Sequence, residues 1–118
     1  MIRKAVIISI SGTVLKKSEI NIFKKEKPWG VILFKRNILS EKQIKKLTNT
    51  IRKIMRDKKY PILVDEEGGK VSRISNFLNN IDFNQKYFGD IYKIDKKIAL
   101  ITYKTYVVSI SRHLRNLG

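Results

Sequence analysis

The chain has no cysteine, which excludes a disulfide scaffold and any zinc site built on thiolates and points to a reducing, cytoplasmic compartment. Histidine occurs once, at His113, and no cluster of acids and histidine has metal-ligand spacing, so neither a metal nor another cofactor is expected. Proline is confined to Pro28 and Pro61, and no Pro-rich linker, internal repeat or second domain is visible. The apolar run in MIRKAVIISISGTVL is interrupted by Ser9, Ser11, Gly12 and Thr13 and has no small-residue cleavage pattern before Lys16 and Lys17. It is also far too short to span a bilayer, so it reads as a strand and no membrane association is expected. Neither a G-x-S-x-G nucleophile elbow nor a phosphate-binding glycine loop is present.

What the chain does have is 118 residues, 42% of them hydrophobic, enough for the core of one small domain. Its formal net charge is +16, carried by 7 arginines and 19 lysines against 10 acids. Lysine, isoleucine and asparagine dominate together, a bias that an A+T-rich coding sequence produces without any function. The positive charge is spread along the chain and leans on lysine, whereas a nucleic-acid footprint concentrates on one face and favours the arginine fork. A solvated basic surface is therefore the primary reading, and nucleic acid is not the expected partner. A basic, non-enzymatic α/β module that binds nucleic acid or a partner chain stands as the alternative.

Apolar periodicity divides the chain into alternating elements. Residues 4–10 read as a first strand, and residues 18–25 as a short helix with Ile20 and Phe23 on one face, ended near Pro28. Residues 30–34, GVILF, read as a second buried strand closing on Lys35, Arg36 and Asn37. Ser40 as N-cap with Gln43 three residues on makes a capping box, and Leu39 with Ile44 a hydrophobic staple. Ile44, Leu47, Ile51, Ile54 and Met55 then follow at helical spacing to about Asp57. Residues 60–64 form strand three, giving a β-α-β-α-β order whose connections fit right-handed crossovers between parallel strands. Residues 72–90 read as an irregular, polar, asparagine-rich excursion. A last helix over residues 93–117 carries Tyr103, Val107, Ile110, Leu114 and Leu117 as one stripe, widened by Ile94, Ile98 and Ile101, with Gly118 at C′.

The chain is organised around residues 60–73, YPILVDEEGGKVSR. A continuous apolar run reads as a strand buried on both faces, as in a helix-covered parallel sheet. Three acids in a row cannot continue into that interior, because an unpaired buried carboxylate costs several kcal/mol or more. Asp65 therefore marks the strand's C-terminal end, the edge where α/β folds bind ligands. Gly68 and Gly69 permit backbone angles or close approaches that a side chain forbids. On this pattern the chain is the N-terminal part of a larger (βα)n protein.

The combination WGVILFKRN (residues 29–37), IRK (residues 51–53), PILVDEEGGKVSR (residues 61–73) and SRHLRNLG (residues 111–118) resembles glycoside hydrolase family 3. More narrowly, it is similar to the bacterial β-N-acetylhexosaminidases that release N-acetylglucosamine from peptidoglycan fragments. The resemblance runs through nearly the whole chain and implies an α/β fold: the first three βα units of a (β/α)8 barrel, an incomplete barrel, with residues 1–118 an N-terminal fragment of the catalytic domain. It implies a glycosidase of peptidoglycan recycling acting on an N-acetylglucosamine-containing carbohydrate.

Residue by residue, the resemblance implies that Asp65 accepts hydrogen bonds from sugar hydroxyls and that Arg73 also contacts substrate. A carboxylate accepts two hydroxyls at once, and a guanidinium is a rigid multiple donor. A salt bridge from Arg73 to Glu66 or Glu67 is the structural alternative, and a solvated strand-end acid is the alternative for Asp65. Gly68 and Gly69 are expected to shape the turn, and Lys35, Arg36 and Asn37 to serve structure. Lys70 stands where the family more often has arginine, and residues 79–88 lack a proline often found there. The family's retaining mechanism needs a nucleophilic carboxylate and an acid/base, expected beyond Gly118, so no catalytic residue is assigned in this chain. Glu66 and Glu67 point to opposite sides of an extended chain and cannot flank one bond. His113 reads as a solvated helix-end residue. The chain alone is expected to be inactive, and a complementing C-terminal fragment is a possible partner.

Overall fold

The computed structural model describes residues 2–118 and divides into two compact units. One runs to Asp65 and includes Gly118; the other is Glu66–Leu117. In chain order the elements are β1 (Lys4–Ile8), α1 (Lys17–Glu26), β2 (Pro28–Leu33), a 3-10 turn (Lys35–Asn37), α2 (Glu41–Met55), β3 (Ile62–Val64), α3 (Gln85–Ile94) and α4 (Lys96–Leu117). The fold is α/β. No helix among the described residues is long and apolar enough to cross a membrane.

The first unit is an open, parallel three-stranded sheet in the order β1-β2-β3 with two helices. Ile7 pairs with Gly30 and Ile8 with Val31, while Val31, Ile32 and Leu33 pair with Ile62, Leu63 and Val64. Burial on both faces is realised only in the middle. Gly30, Val31 and Leu33 of β2 are buried, β3 is intermediate, and Val6 and Ile7 of β1 are exposed. β1 is an edge strand with a partner on one side only. Gly30 is the point of closest strand approach, since a Cβ there would lie 3.2 Å from the Pro61 carbonyl oxygen and 3.3 Å from the Leu63 side chain.

Helix α2 forms where its caps place it. Ser40 Oγ accepts the Gln43 N–H at 3.3 Å, but Gln43 Oε1 accepts from Leu39 N at 2.9 Å rather than from the N-cap residue. Leu39 is 63% exposed and supplies no staple, because the Gln43 amide already fixes the entry to the helix. Ile44, Leu47, Ile51 and Met55 are buried as one stripe, joined by Thr48. At about 1.5–3 kcal/mol per buried side chain, that stripe is what holds α2 in the unit. Arg56 ends the helix in the left-handed region (φ 51°), its N–H capping the Arg52 and Lys53 carbonyls.

Tyr60 precedes β3 instead of belonging to it. Its ring is fully buried, edge-on to Phe23 at 6.4 Å between centroids, with the Arg3 guanidinium 5.1 Å from its centre. Its hydroxyl donates to the Pro28 carbonyl at 3.0 Å, fastening the approach to β3 to the start of β2.

The second unit is a helical hairpin following a wound loop. Residues 85–90, expected to be irregular, form the first part of α3, because Asn84 Oδ1 accepts the Tyr87 N–H at 2.9 Å as an N-cap. The long helix expected from residue 93 is broken at Asp95. The Asp95 N–H closes α3 on the Ile91 carbonyl at 2.8 Å, and its Oδ1 accepts from Ile98 N at 3.0 Å to open α4. The second half of α4 turns the expected Ile110, Leu114 and Leu117 inward, whereas its first half turns a different face. Ala99 and Leu117 are buried and Thr102, Tyr106, Ile110, His113 and Leu114 are half-buried, whereas Ile94, Ile98, Ile101, Tyr103 and Val107 are exposed. Apolar residues occur nearly all round this helix, so periodicity alone did not select a face. Phe83, Phe88, Tyr103 and Tyr106 pack as a cluster with centroid separations of 5.0–6.5 Å.

Burial raises the Tyr60 hydroxyl to about 12, against the opposing pull of Arg3. The folded value lies above the unfolded value of about 10, so its contribution is complete below pH ~10 and is lost as pH rises through about 12. Tyr60→Phe is expected to lower stability by about 1 kcal/mol at neutral pH, for the lost hydrogen bond, and to flatten this alkaline loss. Urea unfolding of both forms across this pH range checks it; parallel curves would remove the assignment.

Candidate functional site

The sheet register pairs Leu33 with Val64, so Phe34 and Asp65 each stand one residue past their strands at the same C-terminal edge. Asp65 is exposed there, at the position the strand-end argument gives it. The rim around β2 is built from Lys35–Asn37. Asn37 is fully buried; its Oδ1 accepts from Phe34 N at 2.8 Å, and its Nδ2 donates to the carbonyls of Ile10 at 3.0 Å and Gly12 at 2.9 Å. Arg36 Nε donates to the Ile10 carbonyl at 3.1 Å, its terminal NH2 group to Ser9 Oγ at 2.5 Å, and its guanidinium stacks over Phe34 at 4.8 Å. Gln43 Nε2 adds donations to the carbonyls of Thr13 at 2.7 Å and Asn37 at 3.1 Å. Arg36 and Asn37 thus hold the loop after β1, a structural role.

In the second unit, Glu66 organises the loop that follows the strand. Its Oε1 accepts from Gly68 N at 3.1 Å and Asn80 Nδ2 at 3.0 Å, and its Oε2 from Arg73 N at 2.8 Å and Ile74 N at 3.2 Å. A carboxylate offers about four lone-pair sites, and four donors converge on this one. Asn80 is itself buried and also donates to the Tyr106 hydroxyl at 3.1 Å, tying the loop to α4. Gly68 (φ 76°) and Gly69 (φ 63°) both lie in the left-handed region. A Cβ on Gly68 would come within 2.5 Å of the Phe83 carbonyl oxygen, and one on Gly69 within 2.7 Å of Asn84 Cβ. The two glycines therefore satisfy both a backbone angle and a close approach.

Arg73 is largely covered, with 20% of its side chain exposed, and its NH2 group lies 3.7 Å from Glu67 Oε1. The ion pair falls to Glu67, while Glu66 takes the Arg73 main-chain N–H. Asp65 and Arg73 lie in different compact units. His113 is not solvated at its helix end: it is half-buried and stacks on Phe77 at 5.7 Å. No group of three or more potential metal-binding side chains occurs among the described residues.

The central place of Glu66 in its loop, and the part of Asn80, do not follow from the sequence reading, whereas the structural role expected of Asn37 is found. A signal exists for the first. Alternation along an extended chain places Asp65 and Glu67 on one side and Glu66 on the other, and the structure leaves the outer two exposed while drawing Glu66 inward.

No family model matches the chain. A curated β-hexosaminidase from Xanthomonas campestris pv. campestris is 30% identical over 112 residues, 95% of this chain and 33% of that protein. NagZ from Neisseria gonorrhoeae, in complex with zinc ion, superposes with a TM-score of 0.64 at 29% identity over 79% of this chain and 27% of that one. The same protein in complex with N-trifluoroacetyl-D-glucosamine gives 0.55 at 33% identity over 61% and 21%. A fungal multi-domain family 3 β-N-acetylglucosaminidase gives 0.57 at 29% over 63% and 9%. This chain is a relative of the family 3 β-hexosaminidases. It spans about a third of the length of the curated hexosaminidases it matches.

The hexosaminidase-like loop depends on its glycines. Gly68→Ala and Gly69→Ala are each expected to lose about 1–2 kcal/mol for the left-handed angle alone, with the close contacts adding to it. Gly89→Ala, inside α3 with nothing within 4 Å of its Cβ, is expected to gain about 0.5–1 kcal/mol. Thermal unfolding of the three variants measures this; equal effects at all three positions would contradict the assignment.

Proposed function

We propose that residues 1–118 are the first three βα units of a (β/α)8 catalytic domain of a cytoplasmic β-N-acetylhexosaminidase, and contribute its substrate rim. The observation that carries this reading is Asp65 at the C-terminal end of the third parallel strand, leading into a Glu66-centred loop that bears Arg73. Asp65 accepts hydroxyl hydrogen bonds from a terminal N-acetylglucosamine, and Arg73 also contacts substrate. N-trifluoroacetyl-D-glucosamine in the related NagZ has the same amide-bearing sugar chemistry. Arg73 suits this role because its guanidinium is a planar multiple donor whose charge Glu67 partly balances.

The retaining pair of carboxylate nucleophile and acid/base comes from segments other than these. Glu66 is committed to four loop donors, and His113 to its stack on Phe77. A polypeptide supplying the remaining barrel units completes the enzyme, whose substrates are N-acetylglucosamine-containing fragments of the kind released in peptidoglycan recycling. The likeness to hexosaminidases over most of the chain favours this account over a basic module acting by charge alone.

This polypeptide alone is expected to show no turnover of an aryl N-acetylglucosaminide. Clear turnover that Asp65→Ala abolishes would overturn the division of roles. In a heteronuclear NMR titration, N-acetylglucosamine is expected to shift the Asp65 and Arg73 resonances. Asp65→Ala is expected to weaken binding about tenfold, the loss of one charge-assisted hydrogen bond.

A further inference from the structure

At the end of the first unit opposite the Asp65 rim, two cavities meet at one side chain. One, about 510 Å³, is lined by Asn49, Arg52, Lys53, Arg56, Asp57 and Lys58. The other, about 370 Å³, is lined by Phe23, Lys24, Lys27, Ile54, Met55 and Arg56. Arg56 belongs to both. Six cationic side chains from α1, α2 and the segments that follow them therefore line two cavities that share Arg56, the smaller also lined by Phe23, Ile54 and Met55.

The carboxylates at this end are already engaged. Asp57 pairs with Arg3 through Oδ2 and accepts the Lys59 N–H through Oδ1 at 2.7 Å. Glu26 pairs with Lys4 and Lys25. None of Lys24, Lys27, Arg52, Lys53, Arg56 and Lys58 is in an ion pair among the described residues. Arg52 stands beside Gly118, and its Nε is buried with no hydrogen-bond partner, an unmet donor of the kind that costs about 1–3 kcal/mol. The negative end of the α2 dipole accounts for a basic last turn on α2. It does not account for Lys24 and Lys27, which line the adjoining cavity on the other side of Arg56.

We infer that these adjoining cavities form a binding site for a compact oligophosphate, a di- or triphosphate group centred on Arg56 and flanked by Arg52, Lys53 and Lys58 on one side and by Lys24 and Lys27 on the other. Two arginines provide planar forks for phosphate oxygens, and lysines provide mobile point charges at the flanks. Cavities of this size suit small ligands. An extended nucleic acid would instead need charge continued over one face, and the remaining lysines are dispersed.

Isothermal titration of the whole chain with inorganic tripolyphosphate tests the site, with a duplex DNA oligonucleotide as the second probe. R52Q/K53Q/R56Q is compared with K42Q/K45Q/K46Q, which removes the same charge from the other end of α2. The expected result is saturable 1:1 tripolyphosphate binding, weakened about tenfold or more by the first variant and little by the second. A circular dichroism spectrum matching the parent shows that the first variant is folded; should it fail to fold, R56Q alone serves, with a smaller loss expected. Equal losses in both variants, no binding to tripolyphosphate, or binding to duplex DNA alone would each overturn the assignment.

Discussion

A carboxylate drawn away from water is tolerated only if the chain supplies donors for it, and Glu66 shows how completely that can be done. Its oxygens collect two loop N–H groups across a seven- and eight-residue separation, a glycine N–H two residues on, and a side-chain amide. Each of those donors would otherwise have to find water or a partner inside a loop with no ladder of its own. The glycine pair follows from this geometry, because the chain must turn back within two residues to bring Arg73 and Ile74 to the same carboxylate.

The first unit solves a related problem with an amide. Asn37 has a donor group and an acceptor on one short side chain, and it spends both on main-chain groups beyond the ends of β1 and β2. Gln43 extends the network into the cap of α2. The rim is therefore held by side chains that cannot titrate near neutral pH, leaving Asp65 as an acid at its exposed edge. A buried amide that is fully bonded keeps a loop rigid without the desolvation cost of a charge.

Much of this organisation is legible in the residues. Ser40, the stripe from Ile44 to Met55, the parallel order and the stop at Asp65 all follow from local chemistry with one dominant solution. The departures occur where two solutions compete. Asn84 and Asp95 can end or begin a helix as readily as they can sit in a loop, so one irregular stretch and one long helix become α3 and α4. Along α4, isoleucine, leucine, valine and tyrosine occupy most directions around the axis, and tertiary packing decides which turn inward. Leu39 has the composition of a staple, yet a competing amide makes it unnecessary. The family resemblance adds what local chemistry cannot, the proposal that Asp65 and Arg73 contact substrate.

Asp95 joins two antiparallel helices through its own main chain and carboxylate, so the contacts between α3 and α4 are close in sequence. The sheet is the opposite case: Ile8 must find Val31, and Val31 must find Ile62, each across an intervening helix. Loop closure has to be paid for before such pairings return anything, whereas a helical hairpin gains with every turn. The two units should therefore form at different speeds, the hairpin early and the sheet late. The short β3, whose three residues bring in the Tyr60 anchor, is then the step that commits the first unit to its fold.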